Sequence, residues 1–344
     1  MLTTTRRTVL GLLAAAGLAT TASAQEVTLR LHQFLPAQAN VPAHILDVWA
    51  DKVEADSDGR IKIDRFPSMQ LGGTPPQLID QAIDGVADII WTVAGYTPGR
   101  FPQLEVFELP FLSPDAEATS RAFWEMAEER MMDTDFAAFK PLGLWVHGPG
   151  VIHTNRPVTD VADLRGLKLR APTRTTTTLF TELGATAVGM PVPAVPEALS
   201  KGVIDGAVIP WEVVPALKVQ ELVSNHTEFP GEALYTTAFI MAMNPDAYNA
   251  LPADLQAVID ANSGLEFSAF AGRTMQEYDA PGRALAEAQA NTIITLNPEQ
   301  VAAWRAASAP TIANWIAEAD AAGIDGTGLY AQAQALIAKH NADN

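Results

Sequence analysis

The feature that most constrains this chain is a change of hydrophobic period that recurs along it. Val27-Thr28-Leu29-Arg30-Leu31-His32 alternates apolar and polar residues, the period of a strand with one face in a core. Val41 to Ala55 then carries Val41, Ile45, Val48, Trp49 and Val53 at helical spacing and closes on Ser57-Asp58-Gly59. Ile61 to Phe66 alternates again. A helix runs through Leu78, Ile79, Ala82 and Ile83 with Pro75 near its first turn, and Asp88 to Thr92 reads as a short buried strand. This β-α-β-α-β order predicts a mostly parallel sheet with helices on both faces.

A second run of the same plan begins near Val151. It has a strand ending at Arg170, a helix over Thr175–Leu183 and a short strand ending in Gly189-Met190-Pro191. A helix over Pro196–Lys201 and a strand into Ile209-Pro210-Trp211 complete it. Between the runs, Leu104 to Leu112 is apolar and broken by Pro110, as expected of a connection leaving the first unit. Helices follow over roughly 115–139, then a strand over Leu142–Val146. Leu234 to Met243 is uncharged throughout and is expected to be a long strand running between the units. From about 245 the pattern is helical, interrupted by a short strand near Asn291–Leu296. The expected fold class is therefore α/β, with two lobes. One holds 25–148 plus about 236–278; the other holds 149–235 plus about 279–344 with the C-terminal helices. Two lobes crossed by long elements imply a hinge with a ligand cleft between them.

The first 24 residues are expected to be removed. Arg6-Arg7 precedes the apolar run Thr8–Ala19, and Ala22-Ser23-Ala24 is a small-x-small cleavage site. Thr5-Arg6-Arg7-Thr8-Val9-Leu10 has the paired arginines of a twin-arginine export signal, so the expected location is the periplasm. The remaining 320 residues (344 less 24) carry a net charge of −20, the −18 of the whole chain less Arg6 and Arg7. So acidic a body repels nucleic acid and anionic lipid, which excludes both as partners, and no further segment is apolar enough to insert in a membrane. The absence of cysteine excludes disulfides, thiolate nucleophiles and Cys-ligated zinc.

Enzyme signatures are missing: there is no G-x-S-x-G elbow, H-E-x-x-H helix, G-K-[ST] phosphate loop or dinucleotide G-x-G-x-x-G. No catalytic residue, metal or cofactor is assigned. His147 and His153 flank Gly148-Pro149-Gly150 and are more simply hydrogen-bonded structural residues than a metal pair. Within Leu167-Lys168-Leu169-Arg170, alternation ends in an arginine at the C-terminal end of a strand. That is the edge where open α/β sheets collect ligands. A guanidinium there offers a donor fork that fits a carboxylate. Phe34, Trp91, Trp211 and Tyr235 fall at strand ends, where a cleft wall would stand.

Five stretches occur in one order over nearly the whole chain. They are Gly59–Pro67, Gln70-Leu71-Gly72-Gly73, Phe107-Glu108-Leu109-Pro110-Phe111, Asp163–Arg170 and Gly202-Val203-Ile204-Asp205-Gly206. Through them the chain resembles the substrate-binding proteins of the tripartite ATP-independent periplasmic (TRAP) transporters, the C4-dicarboxylate-binding-protein-like family. The resemblance implies a two-lobed periplasmic-binding-protein-like fold with crossing strands and a long connecting helix. It also implies that Arg170 clamps a ligand carboxylate, and that an organic acid is delivered to the membrane subunits of a TRAP permease by a monomeric receptor.

This chain departs from the family pattern at three places. Ile209 stands where many members have an asparagine. Val151 lies about 19 residues before the clamp, where members that handle highly polar acids carry another arginine. Trp91 fills a position that is often small or polar. A ligand hydroxyl or second carboxylate left unpaired there costs roughly 1–3 kcal/mol. The expected ligand is accordingly a monocarboxylate with an apolar or aromatic body, a benzoate-like or aryl 2-oxo acid. It would be held by Arg170, Trp211, Trp91, Phe34, Tyr235, His147, Ile209 and Val151. The rival readings are an exported lyase or hydrolase using His147 or His153, and a protein that presents its ligand to a membrane sensor.

Overall fold

The computed structural model describes residues 25–342; the expected export signal lies outside the described residues. Among the described residues, eleven strands form two sheets: β1 (Val27–His32), β2 (Ile61–Phe66), β3 (Ile89–Val93), β4 (Lys140–Val146), β5 (Gly150–Thr154), β6 (Lys168–Ala171), β7 (Thr186–Gly189), β8 (Gly206–Pro210), β9 (Asn225–Glu228), β10 (Ala238–Met243) and β11 (Thr292–Thr295). The first sheet has the order β2-β1-β3-β10-β4 and the second β11-β9-β5-β8-β6-β7. Period decides the faces: Leu29 and Leu31 of β1, and Ile61 and Ile63 of β2, point into the first core, while β3 and β10 are buried throughout, as central strands covered on both faces must be.

Neither sheet is purely parallel, and the exceptions have one cause. β10 runs antiparallel to β3 and β4, and β5 runs antiparallel to β8 and β9. Both strands enter their sheet directly from a crossing, β5 after residues 147–149 and β10 after residues 229–237. A strand in a β-α-β unit ends at the cleft, whereas one arriving through the hinge begins there. The cleft is therefore lined by the C-terminal ends of β3, β6 and β8 and by the N-terminal end of β10.

The expected long strand over Leu234–Met243 is shorter. Only Ala238–Met243 pairs in the sheet, and residues 234–237 belong to the crossing. The crossing segments hold one another instead: Phe111 N donates to Ala233 O (2.9 Å), Ala233 N to Ser113 O (2.8 Å) and Gly150 N to Tyr235 O (3.3 Å). β9 has no counterpart in the sequence reading, because Asn-His-Thr-Glu shows no apolar alternation even though its first three residues are buried. The long helix is Pro298–Ala321, started by Asn297, whose side chain accepts from Gln300 N. It packs on the second lobe, where Asn314 Nδ2 donates to Glu182 (2.7 Å). The final helix, Gly326–Ala342, returns to the first lobe, with Lys339 Nζ on Glu125 (2.7 Å).

Gly150 sits where the crossings meet. A Cβ built on it would lie 2.1 Å from the ring of Tyr235, so the missing side chain is what lets that ring close over the hinge. Gly150→Ala is expected to destabilise the protein by about 1–3 kcal/mol through overpacking, read as a lowered urea midpoint. An unchanged midpoint would show that the ring is free to move aside.

Candidate functional site

Where the two lobes meet, residues of both line one cavity. Arg170 is its only lining cation, and the way it gets there is legible in β6: Lys168 is exposed, Leu169 joins the second core, and Arg170 is turned inward with 2% exposure. The guanidinium is fixed by two carbonyls, Nε–H donating to Met190 O (2.9 Å) and Nη1–H to Val208 O (3.1 Å). Those two bonds use two of its five N–H groups, and the Tyr96 hydroxyl stands beside the fork. Among the described residues no carboxylate lies within ion-pair distance of it. Burial lowers its pKa, and the neighbouring hydroxyls of Tyr96 and Tyr235 oppose that shift. An arginine nevertheless stays charged at any physiological pH.

The walls are aromatic and mostly from the first lobe. Phe34 stacks on Trp91 (centroids 4.6 Å apart, planes at 16°), and Trp91 stacks on Phe239 (5.5 Å, 20°). Two polar atoms at this surface are buried without a partner, Trp91 Nε1 and Tyr235 Oη. Such orphaned donors are uncommon in protein interiors and mark places where polar groups of another molecule fit.

His147 is buried and neutral, with desolvation pulling its pKa down to about 4. Its Nδ1–H donates to Gly148 O, which leaves Nε2 to accept from the Thr237 hydroxyl (3.0 Å). The lobes touch directly around the cavity. Val192 N of the second lobe donates to Tyr96 Oη of the first (2.8 Å), Asn40 Nδ2 donates to Glu212 Oε2 (3.1 Å), and a Cβ on Gly95 would meet Thr173 at 2.4 Å. Farther out, Arg174 Nε donates to Glu105 Oε1 (3.1 Å), whose other oxygen takes Trp315 Nε1 (3.2 Å). This is a closed arrangement.

Of the eight residues expected at the site, six line this cavity: Arg170, Trp91, Phe34, Tyr235, His147 and Ile209. Trp211 and Val151 do not. They line a separate depression with Glu228 and Asp279. Trp211 follows Pro210 into a 3₁₀ turn, where strand alternation no longer applies. Its ring packs edge-on against His153 (5.0 Å), and its Nε1–H is claimed by Glu228 Oε1 (2.8 Å). His153 does not line the cavity either. Its Nε2–H donates to Ile209 O (3.0 Å) and its Nδ1 accepts from His226 Nδ1–H (2.7 Å), so neither nitrogen is available as a catalytic base. Residues the sequence reading missed are Tyr96, Thr237, Phe239 and Glu212. Tyr96 lies one turn beyond β3, Glu212 directly follows Trp211, and Thr237 and Phe239 lie two and four residues after Tyr235.

Two α/β lobes shut over a buried, acid-free cation make a solute receptor of the two-lobed, hinge-closing class. The profile of the bacterial extracellular solute-binding protein family 7 (DctP) matches residues 35–319, and the chain belongs to that family. A TRAP solute-binding protein from Rhodoferax ferrireducens, solved with copurified benzoate, is 51% identical with a TM-score of 0.90, covering 91% of this chain and 98% of its own. A marine metagenome TRAP solute-binding protein specific for aromatic acid ligands, solved with 3-hydroxybenzoate, is 47% identical with a TM-score of 0.90, covering 92% and 99%. The ectoine/5-hydroxyectoine-binding periplasmic protein UehA of Ruegeria pomeroyi is 28% identical over 342 residues, 95% of this chain and 96% of its own. These relatives are solute-binding proteins. Among the described residues no helix is long and apolar enough to cross a membrane.

The buried histidines set a pH dependence. Burial lowers His153 to about 3 and His226 to about 4 from the ordinary 6.5. Between those values the unfolded chain binds protons that the native one does not, so their contribution is fully present above about pH 6.5 and is lost as pH falls towards 4. His153→Gln is expected to be less stable at pH 7 but to lose less stability between pH 7 and pH 5. Urea midpoints at the two pH values check this, and an unchanged loss would remove the pair from the account.

Proposed function

We propose that the protein is a periplasmic receptor for aromatic monocarboxylates of the benzoate type, which it hands to a TRAP-type membrane permease without chemical change. The observation that carries this reading is Arg170, a fully buried guanidinium with no acid to neutralise it. In this reading the ligand carboxylate pairs with its free N–H groups and with the orphaned Tyr235 hydroxyl, while the ring lies against Phe34, Trp91 and Phe239. Ile209 and Val208 close the apolar side, and His147 serves as a neutral polar wall. The hinge divides the chain into one lobe of about 25–148 with 236–278 and the returning final helix, Gly326–Ala342, and another of 149–235 with about 279–325.

Two considerations support the charge and the body of the ligand. A second carboxylate would find no second cation, because Arg170 is the only Lys or Arg among the lining residues. Burying an unpaired carboxylate is prohibitively costly. The benzoate and 3-hydroxybenzoate found in the two structural relatives have this chemistry.

Closure supplies the signal for delivery. The Tyr96–Val192 and Asn40–Glu212 bonds join residues of opposite lobes, so they form only when the cleft shuts, and a ligand that bridges both lobes shifts the equilibrium towards that state. Calorimetric titration with benzoate should give one site per chain with no turnover of the acid. Arg170→Ala should weaken it by at least about 100-fold, since an orphaned buried carboxylate costs about 3–5 kcal/mol. Retention within a few-fold of the wild type would sink the clamp.

A further inference from the structure

Glu212 is a second polar feature of the cavity, and the carboxylate clamp does not use it. It follows β8, lines the same space as Arg170, is 5% exposed, and lies beyond ion-pair distance of that guanidinium. Its Oε2 is held across the cleft by Asn40 Nδ2 (3.1 Å), and its backbone N–H donates to Asp279 Oδ1 (2.9 Å). Its Oε1 has no protein hydrogen-bond partner among the described residues. Burial keeps the carboxyl protonated, up to about 8, with no cation beside it.

The acids around it decide what it can accept. Asp279, half-buried, accepts from the backbone N–H of Glu212, and no cation stands on this side of the cavity, so a second carboxylate on a ligand would be buried unpaired. A bare ring edge would leave Oε1 facing an apolar surface unpaired. A ring hydroxyl satisfies Oε1 in either protonation state, donating to a carboxylate oxygen or accepting from the carboxyl proton, and brings no charge.

We infer that Glu212 is a specificity-determining residue that reads a ring hydroxyl at the end of the ligand away from its carboxylate, making hydroxybenzoates the preferred class. The inference rests on the aromatic-acid reading above and narrows it. Because Asn40 comes from the opposite lobe, the hydroxyl would be sensed at a contact that exists only in the closed form.

The test is a ratio of affinities rather than any single one. Benzoate, 3-hydroxybenzoate and 4-hydroxybenzoate are titrated into the wild type, Glu212→Gln and Glu212→Leu by calorimetry at pH 7. The wild type should bind at least one hydroxybenzoate fivefold or more tighter than benzoate. Glu212→Gln, which keeps an accepting oxygen, should retain most of that ratio, and Glu212→Leu should bring it to within twofold of unity. A crystal structure of the wild type with the preferred hydroxybenzoate should place the hydroxyl oxygen within about 3.2 Å of Glu212, a result independent of how well either variant folds. Arg170-dependent binding of benzoate with no hydroxyl preference overturns this inference alone, as does a ratio that survives Glu212→Leu. If no aromatic monocarboxylate binds the wild type, the aromatic-acid reading has failed and this one falls with it.

Discussion

A guanidinium buried without an acid is the constraint on which the rest of this structure depends. Removing an ion from water costs several kcal/mol even after relaxation, and an unpaired buried ion recovers little of it. Two carbonyls and two nearby phenol hydroxyls soften the penalty for Arg170 without cancelling its charge. Closing the lobes over it is therefore expensive unless an anion closes with it. That asymmetry converts a binding event into a conformational one. The contacts across the cleft, the Tyr96–Val192 and Asn40–Glu212 hydrogen bonds and the Arg174–Glu105 ion pair, offset part of that penalty, and an anion on Arg170 offsets the rest.

The hinge topology delivers the pocket. Strands of a β-α-β unit end at the cleft, and loops at those ends are free to carry function. Here β3, β6 and β8 bring Trp91, Arg170 and Ile209 to one place. The antiparallel entry of β10 adds Thr237 and Phe239 from the opposite direction, and the crossing just before it adds Tyr235. Both lobes thus contribute to one wall through a single continuous segment, 235–239. Small movements at the hinge bear directly on the aromatic surface. Gly150, whose lack of a side chain admits the Tyr235 ring, is where the backbone and the pocket are coupled most tightly.

Much of this was legible in the sequence where local period is the deciding signal. β1, β2, β3 and β6 announce themselves by alternation or by apolar runs, and Arg170 stands out by ending an alternating strand at the edge where α/β sheets collect ligands. The reading weakened wherever long-range context decides. Trp211 looked equivalent to Trp91, but Pro210 ends β8 and the next turn swings the indole towards His153 and Glu228. Val151 is directly opposite Ile209 in the ladder, yet only Ile209 reaches the cavity. β9 is polar and buried because its residues serve a hydrogen-bond chain through His153, His226 and Asn291, which no periodicity can encode. Glu212 was passed over among 40 acids, because what sets it apart is the neighbours that folding gives it.

The protonation states around the cavity resolve an apparent conflict with the protein's overall charge. A chain of net charge −18 should repel the anion it is proposed to bind. At physiological ionic strength, however, exposed charges are screened beyond about 8 Å, so the acidic surface has little reach into a closed cleft. Inside, burial removes every charge but one: His147 is neutral because its pKa falls to about 4, and Glu212 is neutral because its pKa rises to about 8. The lining thus carries the single positive charge of Arg170. A monoanion neutralises it, a neutral solute leaves the cation unpaired, and a dianion brings in a charge with no partner. Selection by charge follows from desolvation of the lining as a whole, and it would operate before any shape or hydroxyl recognition distinguishes one aromatic acid from another.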